Sequence, residues 1–426
     1  MAAVANLTSS GTAHTDGDHD ETFFARVATS PSMPELVPNL VNQISSLGKS
    51  VSLHDYTDRI ALVEAAQSLV YALQTPREAM NRHCWAQTAT YSSVQIGIDL
   101  GLFAILSKDD KPKSAAELAK ATGADPALLA RILKHLSATG VILQTGANEY
   151  RRTGTSITLT WQLCTDSYAF ATDCLKLSVA ALPAYLKKDG YINPSNGKDC
   201  PFQLGRQTNL HFFEYAKENP VFARHFNNHM AFYRQGRPSW MDIGFYDVPT
   251  LIANVGQDDV LLIDLGGGLG HDISEFRRKW PDAPGRLVLQ DTPELTAQSK
   301  KEQLHPSIEP MAHDFFTKQP IKGARAYYFH TVIHDWSDDS ARKMLKAVAD
   351  AMKPGFSKVL INDLIVNDTD AYWESTSMDI IVMSTLATTE RTEAEWHKLV
   401  ESAGLKITKI WNFHNAVESL IECELA

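Results

Sequence analysis

Three residues far apart in the chain, His334, Asp363 and Glu390, are of the types that proton transfer requires. A neutral imidazole accepts a proton near neutral pH. A carboxylate beside it fixes the tautomer and stabilises the imidazolium that forms. His334 closes an apolar run in FHTVIHDWSDD, Asp363 lies inside another apolar run, and Glu390 stands before Arg391 and a helix pattern. Asp363 and Glu390 read equally well as turn or cap residues.

A second stretch, VLLIDLGGGLG from Val260 to Gly270, has the pattern of a ligand cradle. Its first six residues read as a buried parallel strand. Gly266, Gly267, Gly268 and Gly270 then let the backbone turn sharply and approach a ligand, which a Cβ would block. A helix pattern follows, so the turn opens onto a helix N-terminus, a favourable place for a nucleotide-type cofactor. Asp291 lies 21 residues past Gly270 (291 − 270), where a carboxylate meets ribose hydroxyls or caps the helix begun by Thr292 and Pro293. Asp314 and Phe315 end the next strand; the pair suits an adenine, and Phe315 alone suits core.

The elements that must position these residues alternate strand and helix. Strands are expected near 260–265, 286–291, 308–313, 325–332, 358–366, 406–412 and 416–424. Helices are expected near 271–280, 293–301, 338–352 and 393–404. The pattern predicts a Rossmann-like doubly wound α/β sheet of seven strands. The last two strands have no helix between them, so one is antiparallel. Ligands then bind at the carboxyl ends of the strands, where His334 falls.

Upstream the chain reads as helices: 37–47, 58–73 and 79–106. From Ser114 the pattern changes. Ser114 and Glu117 form a capping box, Asp125 and Pro126 start a second helix, and a hairpin around Gly146 follows. This is a winged-helix pattern. Its second helix offers only Arg131, Lys134 and His135, so a scaffold role is expected rather than DNA binding. Two aromatic-rich helical stretches come next, at 167–191 and 202–233. Phe222, Phe226 and Met230 there suit a pocket for a flat apolar ligand or plain core. Residues 1–32 read as a mobile tail, 33–245 as a helical domain and 246–426 as the cofactor-binding catalytic domain.

Composition narrows the function classes. The chain has 426 residues, 44% apolar and 21% charged, with a net charge of −10. That acidity argues against nucleic acid or anionic membrane as a partner. The five cysteines are scattered and never spaced as CxxC, which reads as reduced intracellular thiols and no zinc site. No signal peptide and no membrane-spanning run are expected, so a cytoplasmic protein is.

The segments LIDLGGGLG, RLVLQDTPEL, AHDFF, HTVIHDWSDD, DAMKPG and ERTEAEWHKLVESAGL together resemble the S-adenosylmethionine-dependent O-methyltransferases of the plant caffeate/flavonoid type, and their fungal secondary-metabolism relatives. The resemblance spans roughly residues 60–425. It implies S-adenosylmethionine as cofactor, with Gly266, Gly267 and Gly268 under its methionine end, Asp291 on the ribose and Asp314 and Phe315 on the adenosine. His330 falls where many relatives carry a cofactor-contacting lysine, and Trp336 where they pack an aromatic. His334 matches the base, flanked by Asp363 and Glu390. Plant members usually carry Glu at position 363, so the shorter Asp363 implies a longer or water-mediated contact with His334. Phe222, Phe226, Met230 and, opposite, Met383 match the family's substrate pocket. The winged-helix and N-terminal helices imply a homodimer. The substrate implied is a phenolic or polyketide-type small molecule, methylated at a hydroxyl without metal. The alternative is a cofactor-retaining pericyclase, isomerase or dehydratase, as some fungal relatives are.

Overall fold

The computed structural model describes residues 21–301, 304–412 and 418–426. The chain divides into two compact units, one made of the described part of Met1–Leu100 with Pro112–Arg151, the other of Gly101–Lys111 with Arg152–Ala426. The expected boundary near 245 therefore moves to Arg152. The expected tail lies largely outside the described residues, and within it Glu21–Thr29 forms a helix.

In the first unit, helices Val37–Ser50 and Tyr56–Leu73 pack together. Pro38 lies in the first turn, where its missing N–H costs nothing. Ser114 and Glu117 form the expected capping box, and Asp125 accepts from the Leu128 amide. Strands β1 (Lys113–Ser114), β2 (Leu143–Gly146) and β3 (Glu149–Arg151) make a small antiparallel sheet in the order β1-β3-β2. The unit is thus mostly, not wholly, helical.

The second unit holds a seven-stranded sheet: β4 (Val260–Leu265), β5 (Arg286–Asp291), β6 (Ile308–Ala312), β7 (Ala326–His330), β8 (Lys358–Leu364), β9 (Leu405–Asn412) and β10 (Glu418–Leu425). Their order is β6-β5-β4-β7-β8-β10-β9, with β10 antiparallel to both its neighbours. All six residues of β4 are buried, which explains its unbroken apolar run. On one face Ile263, Phe329 and Ile361 pack under Met344, Leu345 and Trp396 of two crossover helices. On the other, Leu262, Leu289 and Tyr328 pack against Trp240, Ile273 and Phe276.

The aromatic helices belong to this unit for a physical reason. Phe170, Phe212 and Phe222 share one core cluster with Leu386 and Ala387, and the Cys200 thiol reaches the Ser384 carbonyl at 3.7 Å. The helix Trp373–Leu386 that supplies those contacts is absent from the expected elements, because SMDIIVMSTLA shows no polar face to mark a helical period. One further expectation changes. Gln162–Lys188, with a π-turn at Ala171–Leu175, is by length and composition apolar enough to cross a bilayer. It carries Asp166, which accepts from Arg224 at 3.1 Å and Asn228 at 2.7 Å across the helix pair.

Candidate active site

Strand β7 ends at His330. The backbone then passes through Thr331, whose φ of +47° is strained for a β-branched residue, into a 3₁₀ turn, Ile333–Asp335. That turn carries His334, which is only 5% exposed. Its Nδ1 lies 2.6 Å from Glu390 Oε1 and 3.6 Å from Asp363 Oδ1. The first is a charge-assisted hydrogen bond and the second is not a hydrogen bond. Asp363 is one methylene shorter than glutamate and its Oδ1 already accepts from the Leu364 amide at 3.0 Å. Glu390 is itself held: its amide donates to Asp379 Oδ1 at 2.8 Å.

The two carboxylates do not flank the ring, as a carboxylate on either side would; both face Nδ1. The other side is taken by a third, unforeseen carboxylate, Asp335, whose Oδ1 lies 3.4 Å from Nε2. Burial alone would lower the His334 pKa. Glu390 first, then Asp363 and Asp335, outweigh it and hold the imidazole proton well above the ordinary range. Burial also raises two of these carboxyls, Asp335 to about 7 and Asp363 to about 6.

His334, Asp363 and Glu390 present one donor atom each, all within 4.8 Å of one another. That set could hold a cation in principle. A metal bound by nitrogen and oxygen at ~2.0–2.2 Å would spread those two atoms to roughly 3 Å or more. The 2.6 Å separation of Nδ1 and Oε1 is instead the length of a shared proton.

At the glycine turn, a Cβ on Gly267 would meet the Asp264 carboxylate, and Leu289 at 2.6 Å, so no side chain fits. Gly268 has φ +58°, and its Cβ would point into open space. Beneath the turn Asp264 is buried with Oδ2 lacking a hydrogen bond, and burial raises its carboxyl to about 7. Asp291 closes the turn, accepting from the Gly268 amide at 2.8 Å and the Thr292 amide at 2.6 Å. It thereby ties the glycine turn to the end of β5, while Thr292, whose hydroxyl accepts from the Leu295 amide at 3.5 Å, caps the helix; burial raises the Asp291 carboxyl.

Asp314 is exposed and accepts from the Phe316 amide at 2.9 Å. Phe315 is half-buried, its ring 3.5 Å from where a Gly266 Cβ would stand. Trp336 stacks on Phe213 at 5.7 Å and meets Phe316 edge-on at 4.7 Å. Phe226 is half-buried against Phe212 and Phe213, while Met230 and Met383 are partly exposed. Phe222 is core: it is 4% exposed and packed by Phe170, Phe212 and Tyr215. It sits on the inner side of its helix, one turn before Phe226.

His330 has a carboxylate at each ring nitrogen, Asp272 at Nδ1 and Glu418 Oε2 at 3.2 Å from Nε2. Arg234 pairs with Asp272 and Glu275, and Arg237 with Glu374 and Glu418. Burial opposes the Glu418 charge, but His330 and then Arg237 hold its carboxyl down to about 2. All of these but Glu374 line a cavity of about 440 Å³ beside the helix that follows the turn. A crevice with both signs of charge fits the zwitterionic amino-acid end of S-adenosylmethionine, and the open space facing Gly268 fits its close approach. Arg234, Arg237 and Glu418 carried no sequence signal beyond their charge, because β10 brings Glu418 in from the far end of the chain.

This sheet order, with a glycine turn after β4 and a histidine–carboxylate cluster at the strand ends, defines a Rossmann-like methyltransferase. A model of the O-methyltransferase domain matches residues 198–406, and one of the O-methyltransferase dimerisation domain matches residues 88–161. O-methyltransferase mpaG of Penicillium brevicompactum is 35% identical, over 91% of this chain and 98% of that protein. Demethylsterigmatocystin 6-O-methyltransferase of Aspergillus parasiticus is 37% identical over 74% of this chain and 79% of its own. A solved structure described as a pericyclic reaction enzyme superposes with a TM-score of 0.83 at 28% identity, covering 92% of this chain and all of that one. A structure of LepI with S-adenosylmethionine gives the same TM-score of 0.83. The chain belongs to the O-methyltransferase family. It is an S-adenosylmethionine-dependent O-methyltransferase.

Proposed function

We propose that the acceptor is a hydroxyl of a phenolic or polyketide-type secondary metabolite and that His334 is the general base. The observation that carries this reading is the 2.6 Å contact of His334 Nδ1 with Glu390, which leaves Nε2, 3.4 Å from Asp335, as the nitrogen to meet an acceptor hydroxyl. Glu390 keeps the proton on Nδ1, Nε2 takes the hydroxyl proton, and Asp363 adds negative charge beside the imidazolium. The cofactor supplies an electrophilic methyl group on a positively charged sulfur. Transfer to an oxygen anion removes both charges, so a dry site favours it, and Trp336, Phe213 and Phe315 form an aromatic wall that keeps water out. Arg234, Arg237, His330, Asp272 and the glycine turn would hold the amino-acid end, and Asp291 would accept from the ribose hydroxyls.

A second reading, a pericyclase or isomerase that keeps the cofactor, is favoured by the likeness to the pericyclic reaction enzyme. One experiment decides: the protein is incubated with isotope-labelled cofactor and a panel of phenols, with mass detection of methylated and of isomerised products. Labelled methyl in a phenol ether supports the first reading; isomerised product without label supports the second.

The working form in this proposal is a homodimer. Val63, Tyr71, Met80 and Trp85 of the first unit are 48–65% exposed, large apolar residues for a second copy to cover. The strand–helix–helix–hairpin element from Lys113 to Arg151 is read as a winged helix used for that assembly, with no nucleic acid or membrane as partner. All five cysteines are free thiols, in keeping with a cytoplasmic enzyme.

A further inference from the structure

We infer that Arg391 is a positioning residue: its buried guanidinium fixes the turn that carries His334, while its neighbour Glu390 fixes the ring. The inference rests on His334 being the base.

Arg391 is 1% exposed. Its Nη2 donates to the Trp336 carbonyl at 2.9 Å and its Nη1 to the Ile333 carbonyl at 3.4 Å. Those carbonyls bracket His334. Nε and Nη2 also donate to Asp338 Oδ1, at 3.0 and 2.9 Å, at the head of helix Asp338–Ala349. The Trp396 ring lies 5.3 Å from the guanidinium. Trp396 in turn donates to the Leu364 carbonyl at 3.0 Å, next to Asp363. The Arg391 carbonyl accepts from the Val366 amide at 3.0 Å, so the Glu390–Arg391 dipeptide is anchored to the continuation of β8. Two adjacent residues therefore grip one histidine, by its ring and by its backbone.

A plain core role does not require this residue. Burying a guanidinium costs several kcal/mol before compensation, and a methionine would fill similar space. Only a planar fork of donors reaches two carbonyls and a carboxylate at once. The turn needs such a brace, because Thr331 enters it in a strained left-handed conformation with φ +47°.

The test uses full-length protein with ¹⁵N-labelled histidine. The His334 Nδ1 proton, shared with Glu390, gives a downfield ring N–H signal that is identified by its loss in H334Q. In R391M this signal should broaden or vanish. Turnover of a phenol from the screen should drop roughly 100-fold, the scale set by small misplacements of reacting groups. KM and the affinity for S-adenosylhomocysteine should change less than about 2-fold, and R391K should recover part of both signal and kcat. D338A, which removes only an exposed anchor, should weaken the signal in the same direction and decides the matter if R391M fails to fold. A full signal and wild-type kcat in R391M, or in D338A with R391K when R391M does not fold, would overturn the inference. If H334Q retains turnover, the base reading fails, whereas the ring signal still reports whether Arg391 holds the turn.

Discussion

His334 Nδ1 is 2.6 Å from Glu390 and 3.6 Å from Asp363, so the two carboxylates beside the ring are not equivalent. Glu390 sets the tautomer, whereas Asp363 contributes only through its charge. Glu390→Gln can still bond the ring, but permits the wrong tautomer, and should lower kcat by roughly 10³-fold. Asp363→Asn should cost clearly less. Single-turnover rates with labelled cofactor separate them; equal losses would mean that both carboxylates bond the ring in the working complex.

His334→Ala should collapse methyl transfer while leaving cofactor binding nearly intact, because the imidazole is not among the groups that line the charged cavity. Calorimetric titration with S-adenosylhomocysteine provides the second measurement. Turnover unchanged by this substitution would remove the general-base role.

The imidazole is held protonated by three carboxylates, so the free base appears only as pH rises through a value above the ordinary histidine range. The acid limb of kcat/KM should lie there. Asp335→Asn removes the carboxylate 3.4 Å from Nε2 and should move that limb to lower pH. A limb that stays in place would assign it to another group.

The glycine turn and the HDW segment were legible in the sequence because their signals are local: a Cβ-free turn after an apolar run, a histidine where a strand stops. The sheet was legible for the same reason. What was not legible depends on chain segments that meet only on folding. Asp335 follows His334 directly, yet nothing in the sequence says that it faces Nε2. Arg391 reads only as the residue before a helix until its donors are seen to bracket His334. Phe222 and Phe226 share a composition and one helix, but a single turn places the first in the core and leaves the second at its edge.

Gly267 and Gly268 should fail differently. Alanine at 267 puts a Cβ onto Asp264 and Leu289, and should destabilise the fold by about 1–3 kcal/mol. Alanine at 268 meets no protein atom and costs only the ~1–2 kcal/mol of a positive φ. Valine at 268 should therefore leave a folded protein that has lost cofactor affinity, read by thermal unfolding alongside titration. Retained affinity in Gly268→Val would mean that the cofactor does not approach the backbone there.

Glu418 ties the last strand to the charged cavity. It accepts from the Tyr233 hydroxyl at 2.7 Å and Arg237 at 3.0 Å, and stands 3.2 Å from His330. Its carboxyl is held down to about 2 from an ordinary value of 4.5. A carboxyl depressed in the folded state stabilises the protein above its unfolded pKa and loses that contribution as pH falls through the folded one. The shift corresponds to stability on the order of 3 kcal/mol, lost between about pH 4.5 and 2. Glu418→Gln should therefore lower stability near neutral pH and flatten its fall in that acid window, measured by urea unfolding at several pH values. The same substitution leaves His330 and Arg237 with one carboxylate fewer, so affinity for S-adenosylhomocysteine should change with it. A parallel pair of stability curves would show that Glu418 carries no depressed pKa and that His330 is held by Asp272 alone.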